Sequence, residues 1–97
     1  MKLEIREGAV EDLKQLEKPV QKQLRDEIRE LKHNPLSDNT SLMSKQGLEI
    51  FRLKVKNEEL DHRVFFDLNN QKIVVLGVEH RDYDYTKESI KKIKSRK

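Results

Sequence analysis

Cysteine is absent from this 97-residue chain, which excludes disulfide bonds and metal sites built on thiolates. Metal ligands would have to come from carboxylates and from His33, His62 and His80, whose positions show no ligand-like spacing. We therefore expect neither a metal nor another cofactor. The chain also lacks a phosphate-binding loop, a Gly-rich dinucleotide turn and a nucleophilic serine motif, which excludes several common classes of enzyme.

Long apolar runs are missing as well. No stretch approaches the roughly 20 residues that span a bilayer, and residues 1–4 do not begin an apolar region of the signal-peptide kind. We therefore expect a cytoplasmic protein without membrane contact. Only 34% of the residues are hydrophobic and 40% are charged, so the core of this single domain, residues 1–97, must be small.

Positive charge is concentrated in the second half of the chain. Residues 1–41 carry eight Lys/Arg against nine Asp/Glu, and residues 42–97 carry thirteen against nine. This asymmetry favours an anionic partner such as nucleic acid. On charge alone, a solvated lysine-rich tail explains it equally well.

Hydrophobic periodicity predicts the element order β, α, α, β, β, β and a short α. Leu3 and Ile5 alternate with polar residues as in a strand, whereas Val20 and Leu24 begin the repeat of an amphipathic helix. Pro19 marks the start of this second helix, because proline fits a first helical turn and breaks an interior. The first half of the chain therefore predicts a strand and a helical hairpin.

The second half predicts a sheet. A polar loop at 34–47 precedes three strand patterns, which lie at 49–56, 62–68 and 72–78. Asn69-Asn70 predicts a type I′ turn between the last two. The predicted fold class is α+β, with the short N-terminal strand and the helical hairpin packed on a three- to four-stranded antiparallel sheet. A short C-terminal helix follows at 86–97, and the other sheet face is expected to be open.

Strand alternation gathers polar side chains on that open face. Arg52 and Lys54 point away from the core of their strand, and Arg63 on the next strand joins them if the register permits. The candidate site comprises Arg52, Lys54, Arg63, His80, Arg81 and a tyrosine, either Tyr83 or Tyr85. Clustered cations suit a phosphodiester, because they hold the phosphate and neutralise charge that develops on its oxygens.

The three cations on the strands also have a plain structural explanation. Arg52 and Lys54 are ordinary solvated residues in most strands, and Arg63 has Asp61 and Asp67 nearby as ion-pair partners. His80 is the acid–base candidate because its ordinary pKa lies nearest neutrality. A tyrosine stacks on a base or transfers a proton. The convergence of the set on one face favours the functional explanation.

Over nearly its whole length the chain resembles the RelE/ParE superfamily of toxins from type II toxin–antitoxin systems. The segments that carry the resemblance are Leu13-Lys14-Gln15-Leu16, Leu31-Lys32-His33-Asn34-Pro35, Phe51-Arg52-Leu53-Lys54-Val55, His62-Arg63-Val64-Phe65-Phe66-Asp67, Lys72-Ile73-Val74-Val75-Leu76 and the His80-Arg81 ending with Tyr85. The resemblance implies a RelE-like mRNA interferase, a metal-independent endoribonuclease that depends on the ribosome and uses the RNA 2′-hydroxyl as nucleophile. It also implies a cognate antitoxin, whose helix wraps the toxin in a hetero-oligomer.

The resemblance also assigns roles to single residues. Arg63 and Arg81 match the arginines expected to stabilise the transition state. Arg52 and Lys54 match the basic pair expected to contact a base or a phosphate. Tyr85 matches the tyrosine expected to stack or to transfer a proton.

Two other functions stay open. A ParE-like toxin poisons DNA gyrase without cleaving RNA, and a weakened toxin only binds its antitoxin. The basic cluster favours the endonuclease, because the gyrase-directed branch does not need it. Asp82 and Asp84 would oppose an RNA phosphate and favour the weakened toxin. Two departures from the family concern aromatic residues: Tyr83 competes with Tyr85, and His62 replaces the usual aromatic residue.

Overall fold

The computed structural model describes residues 1–45, 47–83 and 86–97. Within these ranges, five strands and three helices follow one another in the order β1 Lys2–Ile5, α1 Glu7–Lys14, α2 Lys18–Glu30, β2 Thr40–Lys45, β3 Leu48–Lys56, β4 Asp61–Asn69, β5 Lys72–His80 and α3 Lys87–Arg96, with a 3-10 turn at Arg81–Tyr83 before α3. None of these helices is long and apolar enough to cross a membrane. The predicted α+β class is confirmed.

The strands form one mixed sheet in the order β1-β5-β4-β3-β2. Strand β1 runs parallel to β5, and the other neighbours are antiparallel. Strand β2 lies within the segment predicted as a loop, so that prediction is wrong for residues 40–45. Its composition is mostly polar, but its backbone pairs with β3 from Thr40 opposite Leu53 to Lys45 opposite Leu48.

A two-residue turn joins β4 to β5, one position later than predicted. Asn69 pairs with Lys72, which leaves Asn70 and Gln71 as the central residues of the turn. Both have positive φ angles, 49° and 62°. Positive φ at both central positions defines the type I′ turn, which matches the twist of the flanking strands. The predicted turn type is therefore right, and its position is shifted by one residue.

Helices α1 and α2 cover one face of the sheet, which we call the hairpin face. Leu13 of α1 and Leu24 and Ile28 of α2 are fully buried there against the sheet. The sheet contributes Leu53, Val55, Val64, Phe66, Ile73, Val75 and Val78. Pro19 lies in the first turn of α2, as the sequence predicts. This face holds the larger part of the core.

The opposite face, the α3 face, is partly covered rather than open. Ile90 and Ile93 of α3 are buried against Ile50, Phe65 and Leu76 of the sheet. The Thr86 hydroxyl caps this helix by accepting a hydrogen bond from the backbone N–H of Ser89 at 3.1 Å, as N-cap residues do. The expectation of an open face is thus wrong for the half that carries these apolar residues, because the short apolar stripe of α3 is enough to cover it.

Candidate nucleic-acid interface

Beyond Phe65, the α3 face carries charged side chains on two neighbouring strands. The register places Lys54 of β3 directly opposite Arg63 of β4, and Lys56 opposite Asp61. Arg52 lies opposite Phe65, one step closer to α3. We call this set, with an arginine from the turn after β5, the cation cluster. Its members are Arg52, Lys54, Lys56, Arg63, Arg81 and the carboxylate of Asp61.

Arg63 lies at the centre of the cation cluster and is buried. Its Nη1 donates to Oδ1 of Asp61 at 2.7 Å and to the backbone carbonyl of His62 at 3.1 Å. A charge-assisted bond of this length at a buried position is among the stronger side-chain interactions. The plain explanation from the sequence, an ion pair between Arg63 and Asp61, is therefore present in the structure.

Arg81 approaches the same carboxylate from the 3-10 turn. Its Nη1 lies 3.6 Å from Oδ2 of Asp61, and its side chain is largely exposed. The hydrogen bond from Arg63 lowers the pKa of Asp61, and the charges of Arg63, Lys56 and Arg81 add to this effect against the opposing effect of desolvation. Asp61 therefore draws Arg81 to the cluster. Alternation along β4 places Asp61 on the same face as Arg63, so the sequence itself contains the signal for this ion pair.

His80 does not join the cation cluster, so its predicted place beside the arginines is wrong. It lies opposite His62 on the hairpin face, and the two rings meet edge to face with their centroids 5.2 Å apart. Its Nδ1 accepts a hydrogen bond from the backbone N–H of Asp82 at 3.1 Å. Because Glu79 lies opposite Arg63, His80 points to the other face.

A β-bulge in β5 is the physical reason that His80 lies on the hairpin face and not on the α3 face. Phe65 lies opposite Gly77 and Phe66 opposite Val75, so Leu76 is an extra residue on β5. An extra residue shifts the alternation of every side chain that follows it. Without the bulge, His80 would share the α3 face with Leu76.

His62 is buried on the hairpin face beside His80, its neighbour on β5. Burial lowers its pKa, the neighbouring His80 and Arg63 lower it further, and Asp61 acts in the opposite direction. Its Nδ1 has no hydrogen-bond partner among the described residues. In the described part of the chain, no group of three or more His, Asp or Glu side chains is placed to hold a metal ion.

The two candidate tyrosines follow β5. Tyr83 ends the 3-10 turn with an exposed ring and lines a pocket with Glu79 and Lys92. Tyr85 and Asp84 lie outside the described residues. The choice of Tyr85 over Tyr83 therefore stays a prediction.

Lys92 of α3 binds the carboxylate of Glu79, the residue of β5 that lies opposite Arg63. Its Nζ lies 3.0 Å from Glu79 and 3.1 Å from Asp12 of α1. Burial opposes the charge of Lys92, but the hydrogen bonds to these two carboxylates outweigh it and raise the pKa of Lys92. Glu79 is thereby engaged by Lys92, whereas Asp61 contacts Arg63 and Arg81.

The sequence matches a described family over residues 3–85, and that family is the ParE toxin of type II toxin-antitoxin system, parDE. The chain belongs to this family. The protein is therefore a toxin of a type II toxin–antitoxin system, as the resemblance to the RelE/ParE superfamily predicts. No curated protein matches the chain significantly.

Solved structures share the fold at low sequence identity. A chain of the toxin–antitoxin complex RelBE2 from Mycobacterium tuberculosis superposes with a TM-score of 0.70 at 17% identity, over 82% of this chain and 96% of that chain. A mutant of the E. coli toxin RelE in the free state gives 0.70 at 16% identity, over 98% and 95%. A chain of the RelB–RelE complex from Methanococcus jannaschii gives 0.59 at 22% identity, over 86% and 98%. These likenesses establish the RelE fold.

Proposed function

We propose that this toxin binds RNA at the cation cluster and cleaves mRNA on the translating ribosome. One observation carries the proposal: Lys54 and Arg63 face each other across two strands, and the Asp61 carboxylate draws Arg81 to the same place. Cations gathered around one point favour the binding of a phosphodiester over that of a neutral ligand. The partners proposed here are thus mRNA and the ribosome.

The chemistry requires charge stabilisation more than a protein nucleophile. When the RNA 2′-hydroxyl attacks the adjacent phosphorus, the bond from phosphorus to the 5′-oxygen breaks, which leaves a 2′,3′-cyclic phosphate and a 5′-hydroxyl. Water accepts the proton of the 2′-hydroxyl and supplies one to the 5′-oxygen. Negative charge grows on the non-bridging oxygens meanwhile, and preorganised cations stabilise that charge. The side chain of Lys54 is exposed, whereas that of Arg63 is fixed by its hydrogen bond to Asp61. His80 receives no proton-transfer role in this proposal, because its ring packs on His62 on the opposite face. The resemblance leaves stacking or proton transfer to Tyr85.

A cognate antitoxin is the second proposed partner, and the proposed location of the pair is the cytoplasm. Membership in a toxin–antitoxin family supports it, as do the complexes in which the related M. tuberculosis and M. jannaschii chains were solved. We propose that the antitoxin wraps the toxin as a helix in a hetero-oligomer and prevents RNA from reaching the cation cluster. Release of the antitoxin would then expose the activity.

Induction of the toxin alone, with primer extension on a translated message, tests the nuclease. We expect cuts within codons that appear only during translation. Lys54→Ala and Arg81→Ala should each lower the cleavage rate by about 100-fold, the effect typical of removing one transition-state contact. Lys22→Ala, which removes an exposed cation of α2, is the matched control and should leave cleavage unchanged. Normal cleavage by Arg81→Ala would exclude Arg81 from the site.

DNA gyrase inhibition is the alternative function, and the match to the ParE family favours it. Growth arrest without RNA cuts, together with inhibition of gyrase supercoiling by the purified toxin, would establish this alternative. Growth without arrest or cuts would identify a weakened toxin that only binds its antitoxin. The three outcomes are exclusive, so one induction experiment and one supercoiling assay separate them.

A further inference from the structure

An acid at the centre of an anion-binding cluster needs an explanation. Asp61 opens β4, lies opposite Lys56 and contacts the guanidinium groups of both Arg63 and Arg81. A carboxylate at this place competes with any approaching phosphate for the guanidinium groups that it contacts. It also offsets their mutual repulsion, because two cations so close to one another are unfavourable without an anion between them.

The two arginines are held very differently by this carboxylate. The side chain of Arg63 is 9% exposed, and its pair with Asp61 is short. The side chain of Arg81 is 63% exposed, and its pair with Asp61 is 3.6 Å long. Arg63 also donates to the backbone carbonyl of His62, a bond that fixes its position along the strand. Exposed, long ion pairs contribute little and exchange partners readily, whereas buried short ones are retained.

We propose that Asp61 is a positioning residue and the internal counter-ion of the cation cluster, which fixes Arg63 and holds Arg81 in a loose pair that an RNA phosphate displaces. The proposal rests on the proposed function, in which the cluster binds RNA. Arg81 is then the arginine that changes partner when RNA arrives. Asp61 lowers the affinity of the free toxin for polyanions, because every phosphate must compete with it for Arg81.

Asp61→Asn removes the negative charge of this residue and keeps the shape of its side chain. The amide oxygen still accepts a hydrogen bond from Arg63, whereas the negative charge that competes for Arg81 is gone. The test measures binding of a fluorescently labelled ten-nucleotide single-stranded RNA by anisotropy at low salt. We expect Asp61→Asn to bind this RNA about fivefold more tightly than the wild type, the gain corresponding to a weak exposed ion pair.

Asp67→Asn is the matched control. Asp67 belongs to the same strand, and its replacement changes the net charge equally. It lies toward the far end of the sheet, where its carboxylate is 3.9 Å from Lys97. Asp67→Asn should leave the affinity for the labelled RNA unchanged.

A double-mutant cycle identifies the group through which Asp61 acts. In an Arg81→Ala background, the gain from Asp61→Asn should disappear, because the pair that competes with RNA no longer exists. A gain that persists there would reduce Asp61 to a source of general charge and overturn the proposal. Equal affinities for Asp61→Asn and Asp67→Asn would overturn it as well.

The wild-type protein provides a test that does not depend on the folding of a variant. Carboxyl NMR of the toxin should show the Asp61 resonance shifting as the same RNA is added, while the Asp67 resonance stays in place. An Asp61 resonance unmoved at saturating RNA contradicts the displacement of Arg81.

The outcomes separate this inference from the proposed function. If the wild type binds RNA and Arg81→Ala weakens the binding, the cluster is an RNA site, whatever Asp61 does. In that case the salt dependence of binding should also fall by about 0.7 in its logarithmic slope, since one phosphate contact to a single strand is lost. If the wild type does not bind RNA and Arg81→Ala changes nothing, both the RNA site and the role of Asp61 are wrong.

Discussion

The guanidinium of Arg96, in the last turn of α3, lies against Gly8 in the first turn of α1 and donates a hydrogen bond to Asp12 at 2.8 Å. The same Nη1 donates to the carbonyl of Leu76 at 3.1 Å, and Asp12 accepts the backbone N–H of Val78 at 3.0 Å. Strand β1 pairs with β5 only as far as Val75. The side chains of Asp12 and Arg96 therefore bind the backbone N–H and carbonyl groups of β5 that β1 leaves unpaired. The same two side chains link α3 to α1.

Asp12 is the central acceptor of this arrangement. Its side chain is 9% exposed and receives bonds from Val78, Arg96 and Lys92. Asp12→Ala should lower the free energy of unfolding by about 2–4 kcal/mol, because three donors, two of them charged, lose their acceptor. Asp12→Asn should lower it less. Urea denaturation measures both, with exposed Glu11→Ala as the control, and an equal loss for Asp12→Ala and Glu11→Ala would contradict the role.

Gly8 should resist a substitution that helices normally favour. Alanine is better than glycine in a helix by up to about 1 kcal/mol, but a methyl group at Gly8 would occupy the space of the Arg96 guanidinium. That guanidinium moves aside only by giving up its hydrogen bonds to Asp12 and to the Leu76 carbonyl. We expect Gly8→Ala to destabilise the protein by about 1 kcal/mol in the presence of Arg96. In an Arg96→Ala background it should be neutral or stabilising. Thermal unfolding of the four proteins in this cycle measures the coupling, and stabilisation by Gly8→Ala alone would show that the contact is not restrictive.

His62 should make stability dependent on pH near neutrality. Its pKa is lowered from 6.5 in the folded state, chiefly by burial, so below pH 6.5 the unfolded chain binds a proton on this residue that the folded chain does not. The free energy of unfolding therefore falls as the pH is lowered through 6.5 toward the depressed pKa of the folded state, by at most about 1.4 kcal/mol per pH unit for one proton. Because phenylalanine binds no proton, His62→Phe removes this difference in proton binding between the folded and the unfolded chain. If that variant keeps the wild-type pH dependence in urea titrations, another group is responsible.

The parts of the fold that the sequence predicts well are those with a strong local pattern. The repeat of Val20, Leu24 and Ile28 predicts α2, because one face of a helix must be apolar to pack on the sheet. Strand β2 was not predicted, because Leu42 and Met43 are the only apolar residues in a segment of serines, a threonine and a lysine. That strand exists through pairing with β3, and pairing between distant segments leaves little trace in local composition.

The candidate site also divides into residues that the local pattern places correctly and residues whose position depends on distant contacts. Alternation alone predicts that Arg52, Lys54 and Arg63 share a face, and the register confirms it. His80 was misplaced because the prediction assumed unbroken alternation along β5, and the bulge at Leu76 reverses the faces of the residues that follow. The bulge and the cover provided by α3 have only weak signals in the sequence, namely the isolated Gly77 within the strand and the short apolar stripe of α3. Both depend on contacts that form only in the folded chain.

Strand β2 has one exposed face and one buried face. Leu42 and Met43 are adjacent in sequence, yet Leu42 is 60% exposed and Met43 is 3% exposed beneath α3. Met43→Ala should lower the free energy of unfolding by about 2–3 kcal/mol, because it leaves a cavity in a packed cluster. Leu42→Ala should change it by no more than about 0.5 kcal/mol, as is usual for exposed positions. Urea denaturation of the two variants compares them directly. Equal losses would mean that residues 40–45 do not pair with β3 in this register, since a slip of one residue exchanges the two faces.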